Sequence, residues 1–301
     1  MAQRVPGEVA LHLDVEGEGP LVVLAHGFGG SARNWRAQLR ALRDRFRMAA
    51  FDVRGHARSE APDDPAAYAP ERFAADFGRV LDHLGERSGV VGGLSMGAGI
   101  ALRFALAEPG RVRGLVLAAF PPGARGRQPE SADARPQAAE GGAQRAEGER
   151  SSSDWALAFA DAIERDGLEG AGARFAWGAE SGLDAEAARF VRMGFLEHAP
   201  HAIAHTLRGL LAVQPSVEAM APALARLDVP ALVVVGGADR VSLRASQALA
   251  RALPRARLEV VEGAGHVVNL AARERVNALL RQFLDSLAKP GGAHRLQWHG
   301  R

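Results

Sequence analysis

The run Gly89-Val90-Val91-Gly92-Gly93-Leu94-Ser95-Met96-Gly97-Ala98-Gly99-Ile100-Ala101-Leu102 changes period at its middle, and that change decides the fold. Up to Gly92 it is short, apolar and β-branched, as a buried strand is. From Met96 to Ala107 apolar side chains recur at helical spacing, until Pro109-Gly110 stops the pattern. Between the two lies Gly93-Leu94-Ser95-Met96-Gly97, a G-x-S-x-G in the strand–turn–helix context that exposes a serine hydroxyl. Its two glycines remove the Cβ atoms that would clash in so sharp a turn, so Ser95 is expected on strained backbone. The pattern alone decides little, because a chain with 35 glycines produces about 0.2 such matches by chance. Its meaning depends on what stands at the other strand ends.

Working outward, the first 120 residues alternate apolar runs with helical patterns. Val9 to Val15 alternates apolar and polar residues, as a half-exposed edge strand does. Leu21 to Ala25, Met48 to Phe51 and Val112 to Phe120 read as buried strands. Pro70 to Leu84 reads as a helix with proline near its start. Strands separated by helices predict an α/β fold with a mostly parallel, doubly wound sheet. From Pro121 to Ser153 large apolar residues almost vanish, and such a stretch cannot bury enough surface to offset chain entropy. Helical patterns follow over Trp155 to Ile163, Ala185 to Leu196 and His201 to Val213. Strand patterns return at Ala231 to Val235 and Leu258 to Val261, with helices over Ser246 to Leu253 and Glu274 to Leu287. The expected organisation is a discontinuous core (1–120 and 217–288), a flexible linker (121–153), a helical cap (154–216) and a disordered tail (289–301). A cap inserted after a strand of a parallel sheet falls over the carboxyl edge, where ligands bind.

Composition narrows the function classes. The formal net charge of the 301 residues is +2, and no basic stripe stands out, which argues against a nucleic-acid partner. The absence of cysteine excludes disulfides, thiolate metal sites and a cysteine nucleophile. The first residues lack the apolar core of a signal peptide, and no run of apolar residues is long enough for a membrane span. The cytoplasm is the expected compartment, and a small molecule the expected partner.

Four features stand just after strands: His26-Gly27-Phe28-Gly29-Gly30, Ser95, Asp239 and His266. In a parallel sheet those ends share one edge, so the four can converge. A serine hydroxyl is a weak nucleophile unless a base takes its proton. His266 suits that role because an ordinary imidazole exchanges protons near neutrality. Asp239 would hold the ring in the needed tautomer and stabilise the imidazolium. The oxyanion of a tetrahedral intermediate needs fixed donors, and the expected ones are the backbone N–H groups of Met96 and Phe28. His26 and Gly27 are expected to support that loop.

Together with Asp52-Val53-Arg54-Gly55-His56-Ala57-Arg58-Ser59, Gly237-Ala238-Asp239-Arg240 and Gly263-Ala264-Gly265-His266, these pieces stand in the order found in α/β-hydrolases, which the chain resembles over about residues 8–120 and 217–287. The resemblance implies a cofactor-free, metal-free serine hydrolase of esterase or lactonase type. It would cleave a carboxylic ester, lactone or thioester through an acyl-enzyme at Ser95. The serine excludes the subfamilies that need an aspartate at that position. Hydrolysis of carbon–carbon bonds uses the same residues and stays open. The segment Thr206-Leu207-Arg208-Gly209 with Gln214-Pro215-Ser216 is similar to the menaquinone-pathway enzyme that eliminates pyruvate, which makes Arg208 a candidate for a substrate carboxylate. A non-catalytic receptor on the same fold is the reading from another class.

The remaining candidates have plainer readings. Asp52, Arg54 and His56 are expected to build a structural loop. His198, His201 and His205 have helical spacing but no carboxylate or cysteine pattern beside them, so a solvated helix face is expected rather than a metal site. Trp155, Trp177, Met193, Phe195 and Leu196 either line a substrate pocket or form the cap's own core.

Overall fold

The computed structural model describes residues 1–123, 152–178 and 185–288. The expected tail over 289–301 and most of the expected linker, residues 124–151, lie outside the described residues. In chain order the strands are β1 (Ala2–Val5), β2 (Leu11–Glu16), β3 (Leu21–Ala25), β4 (Arg47–Phe51), β5 (Gly89–Leu94), β6 (Val112–Ala118), β7 (Ala231–Gly236) and β8 (Ala256–Val261). The core helices are α1 (Arg36–Leu42), α2 (Pro70–His83) and α3 (Met96–Ala107). Between β6 and β7 come α4 (Ser152–Phe175), α5 (Ala185–Phe195), α6 (Pro200–Thr206) and α7 (Val217–Leu224). The chain then adds α8 (Leu243–Ala252), α9 (Val268–Ala271) and α10 (Arg273–Ala288).

The eight strands form one sheet in the order β1-β2-β4-β3-β5-β6-β7-β8. The first two pairings, β1 with β2 and β2 with β4, are antiparallel, and all the others are parallel. Helices cover both faces, so β3, β5 and β7 are buried along their whole length. Side chains of one strand still divide by parity. Val23, Leu117 and Val233 pack with Phe77 of α2, Ile100 of α3 and Leu249 of α8. Val22, Val116 and Val234 pack on the other face with Leu39 of α1 and Leu280 of α10.

The sheet corrects one expectation. The alternating run near Val9 to Val15 forms β2, which lies one place inside the edge. Its alternation is real, with Leu11, Leu13 and Val15 buried and the residues between them half-buried. The edge itself is β1, whose sequence Ala2-Gln3-Arg4-Val5 has only one buried residue and carries no strand signal.

The helices after β6 depart from their expected forms at two places. α4 extends well past Ile163 and is interrupted at Gly167, whose φ of 70° and ψ of 179° are not helical. The pattern read as one helix over His201 to Val213 divides into α6 and a π-helical turn at Leu207–Leu211. That turn is closed by the Ala212 N–H donating to the Leu207 carbonyl at 2.8 Å. Phe159, Ile163, Leu168, Phe195, Ile203 and Leu207 form an apolar cluster of their own, and Phe28 of the core packs against it. No described helix is long and apolar enough to cross a membrane.

Candidate active site

The carboxyl ends of β3, β5, β7 and β8 carry the four sequence features to one edge of the sheet. Ser95 follows β5 with φ 52° and ψ −113°. A non-glycine residue holds such a backbone only at a cost of order 1–3 kcal/mol. The turn is fixed on both sides. The Ser95 N–H donates to the Ala118 carbonyl of β6 at 2.8 Å. A Cβ on Gly93 would collide with the Gly97 backbone, and one on Gly97 with the carbonyls of Ala25 and His26. Both glycines of the motif are therefore required by backbone contact.

Ser95 Oγ lies 3.0 Å from His266 Nε2, and His266 Nδ1 lies 2.8 Å from Asp239 Oδ2. The other carboxylate oxygen, Oδ1, accepts the N–H groups of Val241 and Ser242, both at 3.1 Å. The Asp239 side chain is buried, while that of His266 stays 40% exposed, so the ring reaches solvent and an incoming ligand. Burial works against the Asp239 charge. The hydrogen bond and charge of His266, with the donors of Ser242, outweigh it and hold the carboxyl below its ordinary range.

The Met96 N–H is the first amide of α3, a position without an intrahelical acceptor. The Phe28 N–H lies in the loop after β3, where the Gly30 N–H donates to the Gly27 carbonyl at 3.0 Å and closes a turn around Phe28. His26 braces that loop. Its Nδ1 donates to the Gly27 carbonyl at 2.7 Å, and its Nε2 accepts the Val53 N–H at 3.0 Å, which fixes one neutral tautomer. Burial lowers its pKa to about 4, against the opposing charge of Asp52.

The loop after β4 is an internal network. Asp52 accepts the Ala32 N–H at 2.6 Å and the Arg58 guanidinium at 2.8 Å. Arg54 forms two 2.8 Å hydrogen bonds to Asp76, with both side chains about 1% exposed. His56 donates from Nδ1 to the Arg54 carbonyl at 3.1 Å.

The helices after β6 hold the other candidates. Trp155 and Trp177 are half-buried against the apolar cluster of these helices. Phe195 is buried in it, whereas Met193 is 63% exposed. Arg208 donates to Asp161 at 2.6 Å and to Glu164 at 2.5 and 2.8 Å, so its guanidinium is engaged by α4. The solvated face expected for His198, His201 and His205 is corrected: α6 begins at Pro200, so His198 precedes the helix and is buried. His201 contacts the Ala61 carbonyl at 3.2 Å, and His205 packs on the Tyr68 ring.

One neighbour of the site escaped the sequence reading. Ser242 Oγ lies 3.2 Å from His266 Nδ1, and a serine just before the helical run of α8 was the signal available for it. Phe195 and His198 reach the loop of Phe28 from the far side, a contact with no local sequence mark.

A sequence model of the alpha/beta hydrolase family matches residues 22–279. The chain belongs to the alpha/beta hydrolase family. Within that family it is 30% identical over 282 residues to a putative 2-succinyl-6-hydroxy-2,4-cyclohexadiene-1-carboxylate synthase of Bacillus subtilis, covering 91% of this chain and 94% of the relative. A putative carbamate hydrolase of Stutzerimonas stutzeri is 28% identical over 94% of this chain and 97% of its own length. Among solved alpha/beta hydrolases, a thermophilic esterase from Thermogutta terrifontis superposes with a TM-score of 0.77 at 26% identity. That superposition covers 96% of this chain and all of the esterase.

Proposed function

We propose that this alpha/beta hydrolase cleaves a carboxylic ester, lactone or thioester of a small molecule through an acyl-enzyme on Ser95. The observation that carries the reading is the continuous relay from Ser95 Oγ to His266 Nε2 at 3.0 Å and from His266 Nδ1 to Asp239 Oδ2 at 2.8 Å. His266 takes the hydroxyl proton as Ser95 attacks the carbonyl carbon, and Asp239 stabilises the imidazolium. The N–H groups of Phe28 and Met96 receive the oxyanion. His266 then protonates the departing alkoxide or thiolate, and a water activated by the same ring releases the acid. Nucleophile, base and oxyanion donors all come from the chain, so the reading calls for no cofactor.

The relatives widen the substrate range. A carbamate also reacts by acyl transfer, and the name of the Stutzerimonas relative fits that chemistry. The Bacillus relative favours a second reading, in which His266 serves as the base of an elimination on a carboxylate-bearing ring. Engagement of Arg208 by Asp161 and Glu164 weighs against Arg208 as the cation for that carboxylate.

A fluorophosphonate probe should label the wild-type protein and leave Ser95→Ala unlabelled. Absence of labelling would favour a receptor over a hydrolase. Turnover compared on p-nitrophenyl esters, a lactone, a vinylogous diketone and the succinylated cyclohexadiene precursor then ranks the chemistries, with the ester or lactone expected first.

A further inference from the structure

The segment between α5 and α6 meets the loop of Phe28 directly. His198 is 6% exposed, and each of its ring nitrogens faces a carbonyl, Nδ1 that of Phe195 at 2.9 Å and Nε2 that of Gly30 at 3.1 Å. The neutral ring has one N–H to give, and as the Nε2–H tautomer it donates to Gly30. Phe195 lies over the same loop. A Cβ on Gly29, where φ is +66°, would stand 2.5 Å from the Phe195 ring. The Phe28 and Phe195 rings pack edge to face with centroids 5.9 Å apart. Between these two residues, Glu197 pairs with Arg33 at 2.8 Å.

These contacts fall on the Gly29-Gly30 side of the loop that carries the Phe28 N–H. The direction of the Phe28 N–H is set by the backbone of Gly27 and Phe28. His26 pins that peptide from the core side, through the Gly27 carbonyl and the Val53 N–H. On the other side the Gly30 N–H closes its turn onto the Gly27 carbonyl and the Ser31 N–H donates to Asn34 Oδ1 at 2.8 Å. Gly29 and Gly30, the most permissive residues available, bring no side chain of their own to hold the Gly30 carbonyl. The second anchor comes from His198 on Gly30 and Phe195 on Gly29.

We propose that His198 is a positioning residue of the oxyanion hole: with Phe195 it fixes the Gly29-Gly30 side of the loop and thereby aims the Phe28 N–H. The inference rests on the serine-hydrolase reading above. It assigns the segment between α5 and α6 a part in the chemical step, beside any part in covering a substrate. A donor moved by a fraction of an ångström binds the ground-state carbonyl almost as well and the oxyanion much less well, so the effect belongs in kcat.

The experiment measures kcat and KM on the best ester, with the affinity of a boronic acid that forms a tetrahedral anionic adduct on Ser95. His198→Ala is expected to lose roughly 10- to 100-fold in kcat with KM nearly unchanged. Boronate affinity should fall in parallel. His198→Gln, whose amide can still donate to the Gly30 carbonyl, should recover most of both. A variant with kcat and boronate affinity close to wild type, or with loss confined to KM or thermal stability, would overturn the inference. If His198→Ala does not fold, Phe195→Leu takes its place: a smaller parallel loss supports the inference and its absence overturns it. A wild-type protein that takes neither boronate nor fluorophosphonate on Ser95 would remove the underlying reading instead, so the two failures are distinguishable.

Discussion

Ser242 Oγ lies 3.2 Å from His266 Nδ1, the same ring nitrogen that Asp239 Oδ2 holds at 2.8 Å. The hydroxyl is fully buried at the start of α8, and its own backbone N–H donates to the other oxygen of Asp239. Ser242 therefore contributes twice, and only one contribution depends on the side chain. Ser242→Ala removes the hydroxyl and keeps the backbone donor. Losing a hydrogen bond to a charged group costs about 1.5 kcal/mol at the low end, close to tenfold in rate. The expected outcome is a roughly tenfold lower kcat with KM and folding unchanged, and recovery in Ser242→Thr. A full-rate Ser242→Ala would mean that the hydroxyl only fills space.

Asp239→Asn tests the carboxylate without removing its volume. The amide presents an N–H₂ to His266 Nδ1 or leaves that nitrogen as an acceptor, and either choice favours the wrong tautomer for proton transfer from Ser95. In a serine-protease triad the same exchange costs about 10⁴-fold in kcat, and a loss of that order is expected here. Circular dichroism should match wild type, because the Val241 and Ser242 N–H groups can still donate to the amide oxygen. A loss below about tenfold would point to another group orienting His266.

The sequence carried the relay because each of its members follows a strand of a parallel sheet, so topology alone brings them to one edge. Ser95, Asp239 and His266 needed no knowledge of packing to be grouped. β3, β5 and β7 were equally legible, as apolar runs buried on both faces. β1 was not, because pairing through its backbone leaves Gln3 half-exposed and asks nothing apolar of it. The histidines were misread for a related reason. Spacing groups His198 with His201 and His205, but Pro200 starts the helix after His198 and frees its ring to turn toward Gly30. Phe28, Phe159 and Phe195 pack together from three distant parts of the chain. No periodicity of 2 or 3.6 records such a contact.

Gly97→Ala probes the elbow by sterics alone. The new methyl would press on the carbonyls of Ala25 and His26, which are backbone atoms at the end of β3 and cannot rotate away. Overpacking of this kind costs about 1–3 kcal/mol, and relief requires β3 and the loop after it to separate from α3. The expected result is a lower thermal midpoint together with a kcat loss larger than the stability change explains, since the displaced loop carries Phe28. A fully active Gly97→Ala would show that the loop tolerates displacement.

Acid sensitivity follows from the histidines behind the same loop. His26 and His56 rings lie 5.2 Å apart, and His56 and His198 rings 5.1 Å apart, all three buried. Burial lowers all three pKa values; the neighbouring histidines add to it at His26 and His56, Asp52 opposes it at His26, and the carbonyls of Phe195 and Gly30 together with Asp52 oppose it at His198. Each ring is therefore neutral when folded and titrates near 6.5 when unfolded. Between those values the unfolded chain binds more protons. The stability is fully present above pH 6.5 and is lost as pH falls, with His26's share gone near pH 4. That share alone is about 3 kcal/mol. Asp52 and Asp239 have lowered carboxyl values, so their contributions are lost only at still lower pH. The thermal midpoint should decline through this interval before those carboxylates are protonated. A midpoint flat from pH 7 to 4.5 would mean that the rings are already charged in the folded state.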